Sequence, residues 1–273
     1  MISLSGFCQN PEPVYLWPDK VPGETGSKHA PVETPNKDHG VTRLTDVTNP
    51  DFLVFKPTKE TNNGAGVIVC PGGAYEILAI DLEGYEIATW LTKQGFTAFI
   101  LQYRVPKKKE GALMDAQRAI RIIRSNANAY GLKSNKLGIM GFSAGGSLSA
   151  RTATLYSKNT YTPVDKADSL SCRPDFTLLI YPAYLDLGTN RALSPELMVD
   201  AKTPPMFLFA TADDPYSNSA LVMTTALRDA KVPVELHFLA KGGHGYGLRT
   251  GNTAGETWPH LAELWLKNII ADK

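Results

Sequence analysis

Apolar residues in this chain fall into short continuous runs that alternate with longer segments repeating at three- and four-residue spacing. The runs are Val67-Ile68-Val69-Cys70, Phe96 to Leu101, the stretch ending at Met140, Phe176 to Tyr181, Met206 to Ala210 and Val234 to Leu239. Strands buried on both faces of a parallel sheet read this way, because neither side of the pleat meets water. Between the runs lie Glu83 to Gln94 (stopped by Gly95), a segment with Leu113, Ala116, Ile120, Ile123 and Ala127 on one face, Ser147 to Leu155, Ser217 to Ala230 and Ala262 to Ile270. Their spacing and the glycine stop predict helices. Strand–helix alternation of this kind predicts an α/β fold, a mostly parallel central sheet with helices on both faces. Arg118, Arg121 and Arg124 fall on the other side of their helix and are expected at its surface, unless one pairs with Asp115.

Upstream of Val67 the pattern loosens. Residues 11–40 carry many Pro, Gly, Asn and Lys residues around one short apolar segment, Val14 to Trp17. That composition predicts an extended arm lying over the rest. Val41 to Val47 and Phe52 to Phe55 read as strands split by the turn Thr48-Asn49-Pro50-Asp51. The expected organisation is an N-terminal arm at 1–40 followed by a single α/β domain at 41–273. Residues 1–9 are apolar and rich in small side chains, like the tail of an export signal, but they lack its basic start. Export, to the periplasm or beyond, is the favoured expectation, with an ordinary terminus of a cytoplasmic protein left open.

Composition narrows the partners. With 43% apolar and 20% charged residues and a net charge of +1, the chain is globular and carries no basic stripe. Lys107-Lys108-Lys109 reads as a solvated loop, so nucleic acid is not an expected partner. No stretch has the length of a membrane-spanning helix, and no membrane partner is expected. Cys8, Cys70 and Cys172 show no metal spacing and no Cys-x-x-Cys. Cys70, inside an apolar run, is expected as a buried thiol. No metal or cofactor is expected.

The chemistry starts at Gly141-Phe142-Ser143-Ala144-Gly145, where an apolar run gives way at once to a small-residue helical pattern. A strand that turns into a helix through Gly-x-Ser-x-Gly strains the serine backbone and lifts its Oγ above the sheet edge. Such a motif counts only with partners, which a sheet of this class would supply from loops beyond the carboxyl ends of its strands. Pro71-Gly72-Gly73-Ala74-Tyr75 follows the run at 67–70 and offers free amides for a developing oxyanion, expected from Gly73 and Ala74 with Ala144. Asp213 and Asp214 end the run at 206–210, and on chemistry alone either carboxylate can orient a histidine or cap the next helix. His244 stands among glycines in Gly242-Gly243-His244-Gly245, after the run at 234–239, where it has little packing of its own. His29, His39, His237 and His260 are poorer candidates by position. The order serine, aspartate, histidine on a strand–turn–helix serine is that of the α/β-hydrolase arrangement.

With these residues in place the chain resembles α/β-hydrolase esterases of the acetyl xylan esterase and feruloyl-esterase-like carbohydrate esterase group. The likeness runs over about residues 64–270. It is carried by Cys-Pro-Gly-Gly-Ala-Tyr at 70–75, Tyr-Arg-Val-Pro at 103–106, Asp-Ala-Gln-Arg-Ala-Ile-Arg at 115–121, Gly-Phe-Ser-Ala-Gly-Gly at 141–146, Thr-Ala-Asp-Asp-Pro at 211–215 and Gly-Gly-His-Gly-Tyr-Gly at 242–247. The resemblance implies Ser143, Asp213 and His244 as the catalytic triad, with Asp213 as the acid because the Thr-x-Asp position carries it in related hydrolases. Many relatives have His-Gly-Gly where this chain has Pro71-Gly72-Gly73. The resemblance implies a serine carboxylesterase that removes small acyl groups, chiefly acetyl, from carbohydrate such as xylan. Feruloyl esterase, prolyl-oligopeptidase-like amidase and non-catalytic binding module are the alternatives. Tyr75, Tyr184, Tyr246 and Trp258 are the expected flat faces for a sugar ring.

Overall fold

Alternate residues of the central strands belong to opposite cores. Val67 and Val69 join Ala98 and Ile100 in one apolar cluster, whereas Ile68 and Cys70 join Phe99 and Leu101 in another. A strand whose two faces are both dry cannot show polar alternation, which is why these segments are continuous apolar runs. The computed structural model describes residues 11–271. The reading of residues 1–9 as the end of an export signal therefore lies outside the described residues.

In chain order the strands are β1 (Val14–Tyr15), β2 (Val32–Glu33), β3 (Arg43–Thr45), β4 (Asp51–Phe55), β5 (Gly66–Cys70), β6 (Leu78–Ala79), β7 (Thr97–Gln102), β8 (Leu137–Phe142), β9 (Thr177–Ile180), β10 (Met206–Thr211) and β11 (Val234–Leu239). The helices are α1 (Glu86–Lys93), α2 (Lys109–Ser125), α3 (Ala144–Thr154), α4 (Asn218–Asp229) and α5 (Thr253–Ala271). Eight strands form one sheet in the order β1-β4-β7-β5-β8-β9-β10-β11. Its pairs are parallel from β7 onward, and only β1–β4 and β4–β7 are antiparallel. Strands β2, β3 and β6 make a small separate antiparallel sheet. Apolar residues of α1 and α5 (Ile87, Leu91, Ala262, Leu266) cover one face of the large sheet, and those of α2 (Ala116, Ile120, Ile123) cover the other. This is the mostly parallel sheet with helices on both faces that the alternation predicts.

Several local expectations need correction. Helix α5 begins at Thr253, well before Ala262, because Asn252 Oδ1 accepts from the Ala254 and Gly255 amides and caps its first turn. Gly255 and Pro259 mask that turn in the sequence. The arginines of α2 are not an exposed row. Arg118 and Arg121 are buried, with Arg118 held between Asp165 and Asp168 at 2.6 and 3.0 Å and donating from Nε to the Leu16 carbonyl. Asp115 pairs instead with Arg104, whose Nε lies 2.9 Å from Oδ2, and also accepts from Trp17 Nε1 at 2.8 Å. Leu16 and Trp17 are fully enclosed, and β1 extends the large sheet. This apolar stretch, Val14 to Trp17, is thus built into the sheet and core. Each lysine of the 107–109 run lies within 4 Å of a glutamate (Glu76, Glu24 and Glu196), which neutralises the run. No helix among the described residues is long and apolar enough to cross a membrane.

Candidate active site

Strand β8 and helix α3 meet at Ser143, whose backbone adopts φ 51° and ψ −118°. A non-glycine residue is held there only when its surroundings dictate it. The Ser143 amide donates to the Ile180 carbonyl at 3.2 Å, and its carbonyl accepts from Ala183 at 3.1 Å, so β9 fixes the turn from one side. The flanking glycines fix it from the other. A Cβ on Gly141 would sit 2.0 Å from the Gly145 carbonyl oxygen, and one on Gly145 would sit 2.0 Å from that of Cys70. Only hydrogen fits at either place, and the close approach aims the Ser143 side chain away from the sheet.

His244 Nε2 lies 2.7 Å from Ser143 Oγ, and its Nδ1 lies 2.7 Å from Asp214 Oδ2. A carboxylate only accepts, so Nδ1 carries the proton and Nε2 is free to accept from the serine hydroxyl. The histidine loop reaches this position because Gly243 and Gly245, on either side of His244, take φ +68° and +74°. Asp213, the residue implied as the acid, does not touch the imidazole. Its Oδ1 and Oδ2 accept from the Gly243 and Gly242 amides at 2.9 and 3.2 Å, and these bonds hold its carboxyl below the usual range, the Gly243 bond foremost. The expectation for Asp213 is therefore corrected. Consecutive residues leaving β10 point different ways: Asp213 faces out onto the loop backbone, while Asp214 turns inward with a fully buried side chain. Asp214 Oδ1 also accepts from the Tyr216 amide at 2.8 Å, which fixes the carboxylate plane.

The hydroxyl and imidazole open onto a cavity of about 550 Å³ that is also bordered by Gly73, Leu82, Glu83, Tyr246, Arg249 and Arg43. A Cβ on Gly72 would lie 2.8 Å from Ser143 Cβ, so the loop after β5 runs directly beside the Ser143 turn. The Gly73 and Ala74 amides donate to no acceptor among the described residues. Gly73 borders the cavity and Ala74 is exposed beside it, whereas Ala144 is the first residue of α3, where helical amides have no partner of their own.

Of the expected aromatic faces, only Tyr246 borders the cavity, and it does so from a buried position with its phenol pushed up by burial and by Asp214 and Asp213. Tyr75 is buried against Tyr103. Trp258 is fully enclosed against Phe142 and Trp90 and donates from Nε1 to the Gly247 carbonyl at 2.8 Å. Both are core residues, because their rings complete apolar clusters and leave no face free. Tyr184 is half-buried and packs on Tyr216, whose own ring is 4.9 Å from that of His244. Tyr216 was not singled out by the sequence, although its place directly after the Asp213-Asp214-Pro215 turn puts it beside the histidine.

Two further residues were also missed. Tyr181, at the end of β9, sets its ring 5.1 Å from the imidazole and its hydroxyl 2.8 Å from Glu83 Oε1. Glu83 is buried, and its Oε2 accepts from the Gly72 amide at 2.7 Å. Burial holds its carboxyl above the usual range, against the lowering effect of the Tyr181 and Gly72 bonds. In sequence it reads as an ordinary acidic residue in the first turn of a helix. No group of three or more His, Cys, Asp or Glu side chains suited to a metal occurs among the described residues.

Residues 53–178 match the BD-FAE family. The chain is 29% identical over 256 residues to an acetylxylan esterase of Xylanibacter ruminicola, an alignment covering 84% of this chain and 50% of that protein. The chain thus spans half the length of that relative. Among solved structures it is similar to an acetyl ester-xyloside bifunctional hydrolase from Caldicellulosiruptor lactoaceticus, with TM-score 0.79, 29% identity and coverage of 97% of this chain and 98% of that one. It is also similar to MGS-M1, an α/β hydrolase from a Medee basin deep-sea metagenome library, with TM-score 0.64, 28% identity and coverage of 89% and 98%.

Proposed function

We propose that this chain, which belongs to the BD-FAE family of α/β hydrolases, is a serine carboxylesterase that removes small acyl groups, chiefly acetyl, from acetylated carbohydrate such as xylo-oligosaccharides. The observation that carries the reading is the continuous relay from Ser143 through His244 to Asp214, opening on a cavity beside a loop with unengaged amides. A protein that only binds its ligand has no use for such a relay.

In this reading His244 Nε2 takes the proton of Ser143 Oγ as the oxygen attacks the ester carbonyl. Asp214 keeps Nδ1 protonated and stabilises the imidazolium. The amides of Gly73, Ala74 and Ala144 receive the oxyanion, a contribution of about 3 kcal/mol for each well-placed donor. The alcohol leaves with the proton from His244, and water repeats the sequence on the acyl-serine to release the acid. Arg43 and Arg249, whose guanidinium groups are held by nearby carbonyls and by Glu86, also border the cavity and make part of its lining polar, as a sugar substrate requires. The names of the Xylanibacter and Caldicellulosiruptor proteins support an acetyl ester on a xylose-based sugar.

The test compares acetate release from acetylated xylan with ferulate release from a feruloylated sugar and with cleavage of dipeptidyl anilides. Acetate release should dominate and should fall by about a million-fold in Ser143→Ala, the size of the nucleophile effect in another serine hydrolase. Faster ferulate release or anilide cleavage reassigns the substrate. Undiminished activity in Ser143→Ala removes the nucleophile.

A further inference from the structure

The loop that borders the nucleophile and the loop that carries the histidine are separate in sequence, yet one hydrogen-bonded chain joins them. The Gly247 amide, three residues past His244, donates to Tyr181 Oη at 3.1 Å. Tyr181 Oη in turn donates to Glu83 Oε1 at 2.8 Å, and Glu83 Oε2 accepts from the Gly72 amide at 2.7 Å. Every polar atom along the chain is spoken for, and all four residues are buried.

Glu83 is an expensive residue to keep in this place. A buried carboxyl is tolerated only when its oxygens are matched by donors, and Glu83 has no Lys, Arg or His within ion-pair distance among the described residues. Leucine would fill the volume at lower cost if filling were the purpose. Its backbone is unusual as well. Residues Asp81–Tyr85 form a single π-helical turn running into α1, and such turns re-aim a side chain relative to a regular helix. Here the turn carries Glu83 under the loop after β5. The position of Tyr181 is equally particular, because its backbone takes φ +37° where β9 ends.

We propose that Glu83 is a positioning residue: by holding the Gly72 amide with one oxygen and the Tyr181 hydroxyl with the other, it sets the distance between the oxyanion loop and the histidine loop. The inference rests on the esterase reading for its kinetic consequence. Glu83 touches neither Ser143 nor His244 through a hydrogen bond, so it acts through the two loops. Misplacing reacting groups by about 1 Å costs about a hundred-fold in rate, which sets the scale for cutting the link.

The experiment uses the full chain and four variants: Glu83→Gln, Glu83→Ala, Tyr181→Phe and the double variant Glu83→Ala/Tyr181→Phe. Rates with p-nitrophenyl acetate are expressed per site labelled by a fluorophosphonate, so that misfolded protein does not count. Glu83→Ala and Tyr181→Phe should each lower kcat by about 10- to 100-fold with KM within about three-fold. The double variant should lose no more than the worse single one, since either change cuts the same chain. Glu83→Gln keeps one acceptor oxygen for the two donors, the Gly72 amide and the Tyr181 hydroxyl, and its rate should fall between those of wild type and Glu83→Ala. A kcat within about three-fold of wild type in Glu83→Ala overturns the proposal, as do multiplicative losses in the double variant.

A second readout needs no turnover. In amide spectra, Tyr181→Phe should move the Gly72 resonance and Glu83→Ala should move that of Gly247. If the wild type neither labels nor turns over ester, the esterase reading fails while these spectra still decide the linkage. Unmoved resonances sink the linkage whatever the activity.

Discussion

Asp214 Oδ2 lies 2.7 Å from His244 Nδ1, while the carboxylate of Asp213, one residue earlier, takes two backbone amides of the histidine loop. Adjacent acids at one strand end thus divide two tasks. The inward one fixes the tautomer of the imidazole, and the outward one fixes the loop on which the imidazole rides. Thr211 and Asn252 share the second task, through bonds to the Gly243 and Gly242 carbonyls at 3.0 and 2.8 Å.

Replacing the two acids separately distinguishes these roles. Asp214→Asn keeps shape but lets the wrong tautomer form, and kcat should fall by about ten-thousand-fold. Asp213→Asn leaves the Thr211 and Asn252 anchors, and its loss should stay within about ten-fold. Steady-state hydrolysis of p-nitrophenyl acetate measures both. A larger loss at position 213 would reverse the assignment.

Gly72 has no room for a methyl group. A Cβ there would meet Glu83 Oε2 and the Phe142 carbonyl oxygen at 2.7 Å, and Ser143 Cβ at 2.8 Å. Because one of these neighbours is backbone, the loop itself must move. Gly72→Ala should lower stability by about 1–3 kcal/mol, the usual cost of overpacking. It should lower kcat by about 10- to 100-fold, because the displaced loop adjoins the nucleophile. Urea unfolding and kcat per labelled site measure the two effects, and a fully active variant would contradict the packing.

Stability should depend on pH through Asp51. Its side chain is buried on β4 with no partner for Oδ1, and burial pushes its carboxyl up to about 7. Below about pH 4 both the folded and the unfolded chain hold this proton. As pH rises from there, the unfolded chain releases it and the folded chain keeps it, so stability falls until about pH 7 and then levels off. Asp51→Asn should abolish this slope, gaining up to about 4 kcal/mol relative to wild type between pH 4 and pH 8. Unfolding curves at pH 4, 6 and 8 give the comparison, and parallel pH profiles for the two proteins would refute it.

The buried pair Arg104–Asp115 should respond to the loss of one member. Asp115→Ala leaves an enclosed guanidinium with only the partly exposed Glu24, 3.4 Å away, as a counter-charge and should cost about 3–5 kcal/mol. Trp17→Phe removes only the indole donor to Asp115 and should cost about 1–3 kcal/mol. Both belong to stability, so the rate per labelled site should remain near that of wild type. A large drop in that rate would mean that the pair bears on the site.

How much could be read from the chain beforehand depended on what signal each feature leaves. The central strands and the serine turn were legible because double burial and a crowded strand–helix junction dictate residue type directly, as at Val67–Val69 and at Gly141 and Gly145. The histidine stood out because glycines surround it. The choice between Asp213 and Asp214 was not legible, since it turns on which way successive side chains leave β10. Glu83 was hidden for a related reason. A π-helical turn has no sequence period of its own, and an acid at a helix start is the commonest of patterns. The inward arginines of α2 were misread because their partners, Asp165 and Asp168 for Arg118 and the Tyr161 hydroxyl and Leu170 carbonyl for Arg121, lie far along the chain.

Trp258 gives the last helix a part in the chemistry without touching it. By donating to the Gly247 carbonyl, its indole pins the far end of the histidine loop. A ribosome that has already made Ser143, Asp213, Asp214 and His244 has therefore not yet made the clamp on that loop. In the proposed esterase, loss of α5 would look like a lesion of the site, although Ser143, Asp214 and His244 are all still there.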